Sequence, residues 1–510
     1  MGPSSRVART LVVLYAALTA VVTAGAAWAE ESTSMSDTGS TDDRLMFYCP
    51  PDWRCGDFIP FYWDGEYHLF HIRDRDWRHI GTRDLVSYTY YGTAIAGGGP
   101  EVQDACIYTG CVVEKDGLFH IFYTGHNAEH EKLGLPFTQV TMHATSTDLI
   151  NWEKDPDWRI EPDVDRYSPA AWRDPHVFWN EAAGEYWMVV TAAVKGGPPR
   201  RSGCTALCTS KDLLNWEIQD PIWSPYLFDS HECPDLFQMG DWWYLVFSTY
   251  STQWITHYRM ARSPEGPWIA PPDDQFDGRT FYAAKTASDG DRRLIIGWVS
   301  IRADEKDEGK YLWGGSLQFH ELVQQPDGTL GVRLAPEVAE QFADSLPLSP
   351  TPVMGTWTVD DTGVSSDSPE RFSYLKLAEM PDPCLVETNA TFAAGTESFG
   401  LMLRVSAPNL DAWYQVRLEP GKQRVVFDRS NRYFHDHTFV EERPVKLTPG
   451  EPVSLKVLVS GSVYAVYVND TVALTARGYD LTGGAVGVFA SEGSARFSGS
   501  RVRTMQVGAP

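Results

Sequence analysis

The chain repeats itself, and the repeat restricts its fold more than any other feature. The segments TRDLVSY, STDLINW and SKDLLNW place Asp84, Asp148 and Asp212 at intervals of 64 residues, and a degenerate fourth copy, RSPEGPW, ends at Trp268. A second motif, a short apolar or aromatic run after a Gly or Asp turn, recurs as DGEYHLFH, DGLFHIFY, AGEYWMVV, GDWWYLVF and DRRLIIGW. Each copy predicts a strand of about seven residues bounded by turn chemistry, and no stretch between the copies carries a helical period. Small sheets repeated radially protect their own edges. The expected fold is therefore all-β, with a five-bladed β-propeller over residues 45–345. A two-sheet sandwich would explain the alternating strands but not the repeated terminal motif.

After LAPEVAEQFADSLPLSPTP the composition shifts, and residues 355–510 lose most Trp and gain Val, Thr and Gly. Short alternating strands such as SVYAVYVND predict a C-terminal β-sandwich. Pro347, Pro350 and Pro352 lie in a connection too short and too mixed for a free linker, so the two domains should pack together. At the other end, Arg6 and Arg9 precede an apolar run over residues 11–27, and Ala27-Trp28-Ala29 has the small-x-small pattern of a signal-peptidase site. Residues 1–29 are expected to be a secretory signal peptide and residues 30–44, polar and acidic, a disordered leader. The mature protein should be secreted, with no membrane association after cleavage.

A formal net charge of -25 disfavours nucleic acid and anionic membranes as partners, because both require Lys and Arg to neutralise phosphates. Neutral sugars make no such demand, and the 19 Trp, 23 Tyr and 23 Phe supply flat amphipathic rings suited to stacking on them. Such aromatics are also ordinary strand core. The close pairs Cys49/Cys55, Cys106/Cys111 and Cys204/Cys208 could each staple a loop in an exported chain. No His and Cys cluster has the spacing of a catalytic metal site and no Gly-rich phosphate loop appears, so no metal or other cofactor is expected.

The chemistry sits ahead of the repeated strands. Asp57 in CGDFIPFYWDGEY, Asp174 in WRDPHVFWNEAAGEY and Glu232 in SHECPDLFQMGDWWY precede their turns in a shared register. In a propeller the innermost strands line the axis, so acids far apart in sequence meet around one funnel. Glycosidic cleavage needs such a meeting, because one carboxyl protonates the leaving oxygen while another acts at the anomeric carbon.

At these residues the chain resembles glycoside hydrolase family 32, the β-fructosidases. WRDPHVFW carries the family's Arg-Asp-Pro motif and HECPDLF its Glu-Cys-Pro-Asp motif, in the family's order. TRDLVSY, IYTG, RRLIIGWVS, LWGGSLQFHELVQQPDGTLGVRLAPEV and the C-terminal VYAVYVNDTVALTARGY are similar to further family segments. The resemblance implies Asp57 as nucleophile, Glu232 as acid/base catalyst and Asp174 as the carboxylate that holds sugar hydroxyls. It also implies substrate contacts by Arg173, His71, Trp77, Tyr108, Thr109, Cys233 and Trp313, with Cys233 an unpaired thiol. Arg173 reads equally as a structural ion pair. On physical grounds Asp57 should stay ionised on a donor-rich floor, whereas burial and neighbouring carboxylates should keep a proton on Glu232.

The nucleophile segment departs from the family. Members carry Trp-Met-Asn-Asp-Pro-Asn-Gly, whereas this chain reads Asp52-Trp53-Arg54-Cys55-Gly56-Asp57-Phe58, with Gly56 in place of the sugar-contacting Asn and His71 in place of a Gln. The loss should enlarge or reshape the deepest subsite. The expected function is a secreted, retaining exo-glycoside hydrolase acting on terminal β-D-fructofuranosides of the sucrose, inulin or levan type. A β-D-arabinofuranosidase is the alternative, since that sugar lacks only the hydroxymethyl group on the anomeric carbon. A fructosyltransferase, an inverting propeller glycosidase and a non-catalytic sugar-binding propeller are further readings. The Glu-Cys-Pro-Asp signature disfavours inversion, and a binding module would not need all three acids.

Overall fold

The computed structural model describes residues 46–50, 54–251, 253–406, 410–429 and 440–505. The expected signal peptide and leader lie outside these residues. Five small antiparallel sheets follow one another along the chain. The first blade holds Gly56–Trp63, Glu66–Arg73, Asp76–Thr82 and Thr89–Ile95, each paired with the next. Four-stranded sheets beginning at Cys106–Lys115, Tyr167–Asn180 and Phe281–Ser288 form the second, third and fifth blades. The fourth, Glu232–Met239, Trp242–Thr249 and Ile255–Ala261, has three strands, with bridges from His257 to Gln275 and Met260 to Ile269 at its outer edge.

The terminal motif owes its regularity to turn chemistry. Oδ1 of Asp84, Asp148 and Asp212 accepts the backbone N–H groups two and three residues on, at 2.7 to 3.0 Å. The next residue, Leu85, Leu149 or Leu213, takes a positive φ of 63 to 71° and buries its side chain in the core. An Asp at that place reverses the chain between the third and fourth strands of a blade. The ring is closed from the N-terminal side: the Gly315 and Leu317 N–H groups of the fifth blade donate to the carbonyls of Cys55 (2.8 Å) and Tyr48 (2.8 Å).

The remaining strands, from Asp344–Ser345 to Ala485–Thr504, form one 13-stranded hydrogen-bonded sheet folded over on itself. Tyr464 of one layer meets Tyr414 and Phe427 of the other at 5.4 and 5.2 Å between ring centres, in a shared apolar core, which makes the domain a sandwich. As expected, it packs against the propeller. Leu385, Leu458, Ala465 and Tyr467 join the core of the fifth blade. The fully buried Asp277 accepts hydrogen bonds from the Thr475 N–H and hydroxyl and meets His320 at 2.9 Å. Arg477 reaches across to donate to the carbonyls of Ser300 (2.8 Å) and Val299 (3.0 Å).

The expectation of stapled loops needs correction for two of the three pairs. Cys106 and Cys111 share one strand, and Cys204 and Cys208 another. Extended backbone holds each pair roughly 13 to 16 Å apart, beyond the reach of a disulfide.

Candidate active site

All five inner strands carry an irregularity at the same level. Ladder pairing slips between Gly56 and Ile59, Tyr108 and Gly110, Arg173 and His176, Glu232 and Asp235, and Tyr282 and Lys285. In four blades the bulged residue has a positive φ: Asp57 (48°), Asp174 (57°), Cys233 (50°) and Ala283 (50°). Such a conformation is costly for a residue with a Cβ, and it turns the side chain out of the ladder towards the axis. Asp57, Thr109, Asp174, Cys233 and Ala283 thus form one tier. Gly56, Tyr108, Arg173, Glu232 and Tyr282 form the tier before it.

This corrects the shared register of the three acids. Asp57 and Asp174 are equivalent, but Glu232 stands one residue earlier, in the place held by Arg173 in the third blade. Cys233 takes the bulge in the fourth. The offset gives the site two levels, so that Glu232 is presented from a different height than the two aspartates.

Each carboxylate has a distinct set of partners. Asp57 accepts from the Thr109 hydroxyl at 2.8 Å and from the Trp298 indole N–H at 3.0 Å. Asp174 accepts at Oδ2 from the Cys233 N–H (3.0 Å) and the Thr191 hydroxyl (3.1 Å), while its own N–H donates to the Thr124 hydroxyl (2.8 Å). Glu232 accepts from the Tyr282 hydroxyl at 2.6 Å and from Arg173 at 2.8 Å. Arg173 also donates to the Ser230 hydroxyl (2.7 Å) and lies 3.6 Å from Asp174, so its guanidinium bridges two carboxylates. Burial pushes the Tyr282 hydroxyl well up, as does the charge of Glu232, which keeps the proton on the donor. Burial, followed by the charges of Asp174 and Asp57, likewise raises the Cys233 thiol. Cys233 is a neutral SH beside Thr109 at 3.7 Å, unpaired as expected.

Asp57 departs from the expectation that a donor-rich floor keeps it ionised. Burial, and then the charge of Asp174, raise it from 3.8 to about 7, while the Thr109 and Trp298 hydrogen bonds act in the opposite direction. Two neutral donors do not replace the lost water. Since a nucleophile must be deprotonated, kcat/KM should fall about tenfold per pH unit on an acid limb with its midpoint near 7. Asp174→Asn removes one repelling charge and should move that limb to lower pH; pH-rate profiles of both enzymes check this, and an unmoved limb would exclude Asp57 as its source.

The other residues implied by the resemblance divide into two groups. Thr109, Cys233, Arg173 and Tyr108 stand at the site; the Tyr108 ring stacks on His126 at 4.4 Å. Trp313, 40% exposed, lies 6.1 Å from the Trp298 ring. Trp77 needs correction: it is wholly buried and donates its indole N–H to the Tyr108 carbonyl at 2.9 Å, so it supports Tyr108 from behind. His71 is also wholly buried, between Tyr48 and Phe58, with neither ring nitrogen hydrogen-bonded, and burial pushes it down to about 3. Sequence reasoning missed Trp298, Tyr282, Thr191, Thr124 and Ser230. The first two stand in the fifth blade, at one rung, directly opposite each other.

The structure also shows what stands beside Gly56. A Cβ built there would lie 2.9 Å from Cζ2 and 3.0 Å from Cη2 of Trp313. The indole occupies the room that a side chain would need. Gly56 therefore leaves no empty room on the side of Trp313.

Comparison with known proteins follows the same lines. Residues 58–327 match the model of the glycosyl hydrolases family 32 N-terminal domain. Among curated proteins, a sucrose-6-phosphate hydrolase of Escherichia coli is 23% identical, covering 85% of this chain and 88% of its own length. The raffinose invertase of Escherichia coli is 25% identical, with the same 85% and 88% coverage. Among solved structures, the fructan 1-exohydrolase IIa of Cichorium intybus superposes with a TM-score of 0.70 at 17% identity, covering 92% of this chain and 98% of that one. The sucrose-6-phosphate hydrolase of Lactobacillus gasseri gives 0.68 at 18% identity, covering 91% and 93%.

Proposed function

Because the chain belongs to glycoside hydrolase family 32 and is a hydrolase of O-glycosyl bonds, we propose that it is a secreted, retaining exo-hydrolase of terminal β-D-fructofuranosides. The observation that carries the reading is the convergence of Asp57 and Glu232 on one funnel with different partners, two neutral donors for Asp57 and a guanidinium beside a tyrosine for Glu232. Asp57 is held by two neutral donors, which fix its direction and leave its charge available for attack at the anomeric carbon. Glu232 faces a tyrosine hydroxyl and a guanidinium, groups able to reorganise as it gives up a proton and takes it back. Asp174, fixed from three sides, fits the holding of sugar hydroxyls. Relatives named for sucrose-6-phosphate, raffinose, levan and fructan support the fructoside class. The apolar run over residues 11–27 with its Ala27-Trp28-Ala29 site supports export.

One observation favours a second reading. With Trp313 against Gly56, an amide is replaced by an indole face beside the nucleophile. Such a wall accepts a sugar without the extra hydroxymethyl group, as in β-D-arabinofuranosides. Fructose release from sucrose, 1-kestose, inulin and levan, measured beside hydrolysis of an aryl β-D-arabinofuranoside, decides between the two. Retention is read from the first-formed anomer by NMR, and water against sugar as acceptor from the products.

The pairing of Gly56 with Trp313 makes a prediction independent of substrate. Gly56→Asn should lower kcat/KM at least tenfold, because the new side chain and the indole cannot occupy the same space. In a Trp313→Ala background the same change should cost at least about fivefold less. Equal losses in the two backgrounds would show that the residues act independently.

A further inference from the structure

We propose that the propeller carries a second carbohydrate-binding site, at the end of its axis opposite the carboxylates, which takes a neutral stretch of the polysaccharide whose terminus is cleaved. The proposal rests on the furanosidase reading for the identity of that polysaccharide. A cavity of about 870 Å³ opens there, lined by Tyr62, Val112, Phe178, Gln238 and Ser288 from the inner strands of the five blades. These strands start in the catalytic tiers, and the residues of the cavity lie some four to six positions further along. At about 3.3 Å per residue the two mouths are separated by roughly 13 to 20 Å.

The channel between them is plugged by polar groups. His176 Nε2 faces Asp235 Oδ1 at 3.2 Å; Asp235 Oδ2 accepts from the Thr286 N–H (2.6 Å) and hydroxyl (2.9 Å). Lys285 donates to the Pro234 carbonyl at 2.9 Å. The rear cavity is therefore a separate compartment with its own floor. His176 lines that floor. Burial lowers the ring to about 4, so it is neutral. The lining carries polar side chains, His176, Glu181, Gln238 and Ser288, able to meet sugar hydroxyls beside the aromatic rings.

The walls supply the other half of sugar recognition. Trp179 is 46% exposed yet held in one orientation: its indole N–H donates to Glu181 at 2.7 Å, and the edge of Tyr186 packs on it at 4.9 Å and 67°. An immobilised ring with a free face loses little entropy when a sugar stacks on it. Among the described residues the exposed tryptophans are Trp63, Trp179 and Trp313. Trp313 faces the catalytic funnel, Trp179 lines the rear mouth, and Trp63 ends the inner strand of the first blade at that same end, stacked on Phe61 of the cavity wall at 6.2 Å and 9°. Holding a polymer at the rear would keep the enzyme among chain ends.

The test is native electrophoresis of the full-length Asp57→Asn protein through gels containing levan, inulin or a D-arabinofuranose polymer. Migration should be retarded in at least one gel. Trp179→Ala added to that protein should weaken binding at least fivefold, and Trp179→Phe, which keeps a stacking face, should largely restore it. In the active enzyme Trp179→Ala should leave kcat/KM on sucrose or an aryl furanoside unchanged. No retardation in any gel, or retardation that Trp179→Ala leaves intact, overturns the proposal. Failure of the active enzyme on every small furanoside would instead overturn the furanosidase reading, so the two failures are distinguishable.

Discussion

Asp57→Asn should leave a folded protein whose turnover on any glycoside has fallen by several orders of magnitude. The residue projects from a bulge towards a funnel, so the amide removes the nucleophile without emptying a core position. The same change should raise stability, and the sign follows from linkage. Asp57 is raised in the folded state, from 3.8 to about 7. Its contribution to stability is therefore complete below about pH 4 and is lost as the pH rises to about 7, because over that window the unfolded chain releases a proton that the folded one retains. The Asn variant has no such loss. Its melting temperature should exceed that of the parent by a few degrees at pH 8, and the gap should close near pH 4. Calorimetry at the two pH values checks this. Activity surviving in Asp57→Asn would remove the residue from the mechanism, and a gap that does not depend on pH would locate the charge penalty elsewhere.

Glu232→Gln should separate the two half-reactions. If Glu232 gives its proton to the leaving group and later activates water, the amide should depress hydrolysis of natural glycosides, whose poor leaving groups need that proton. Formation of the glycosyl-enzyme from an activated aryl furanoside should suffer far less. Such a substrate should then show a burst, since the intermediate on Asp57 forms but lacks a base for its hydrolysis. Azide needs no base, so it should release the intermediate faster and give a product of unchanged anomeric configuration. The substitution keeps size, and its amide can accept from Arg173 through the oxygen while its NH2 donates to the Tyr282 hydroxyl, which argues against a folding defect as the cause. Equal losses on both substrate types with no azide rescue, or an inverted first product from the parent enzyme, would end the retaining scheme.

The blades were legible because their signal is local. Asp84, Asp148 and Asp212 bind their own neighbouring N–H groups, so each turn needs the same few residues in a row. Asp57, Asp174 and Glu232 could be found from their place ahead of each repeat. The tiers could not, because a one-residue bulge is a property of pairing between strands and leaves no mark on either strand alone. The contact between Gly56 and Trp313 was hidden for a similar reason: the two residues are far apart in sequence and meet only when the ring closes. Tyr282 and Trp298 were missed because neither is an acid: Trp298 closes the fifth repeat, DRRLIIGW, where it reads as ordinary strand core, and Tyr282 stands ahead of that repeat without a carboxylate to mark it. Trp77 was misplaced because a tryptophan near an active-site loop reads the same from sequence whether it faces a sugar or, as here, the back of Tyr108.

Arg477 gives the sandwich a part in the chemistry that its distance in sequence conceals. Its guanidinium is bonded to the carbonyls of Val299 and Ser300, the two residues after Trp298, whose indole N–H directs Asp57. A chain trimmed after the fifth blade would not yield a smaller enzyme. It would leave two carbonyls without their cation, next to the tryptophan that aims the attacking oxygen, and would open the apolar side of the fifth blade to water. Anyone seeking a minimal catalyst from this scaffold would have to rebuild that buttress, and anyone wishing to tune the nucleophile from outside the funnel has in Arg477 a handle on a different domain.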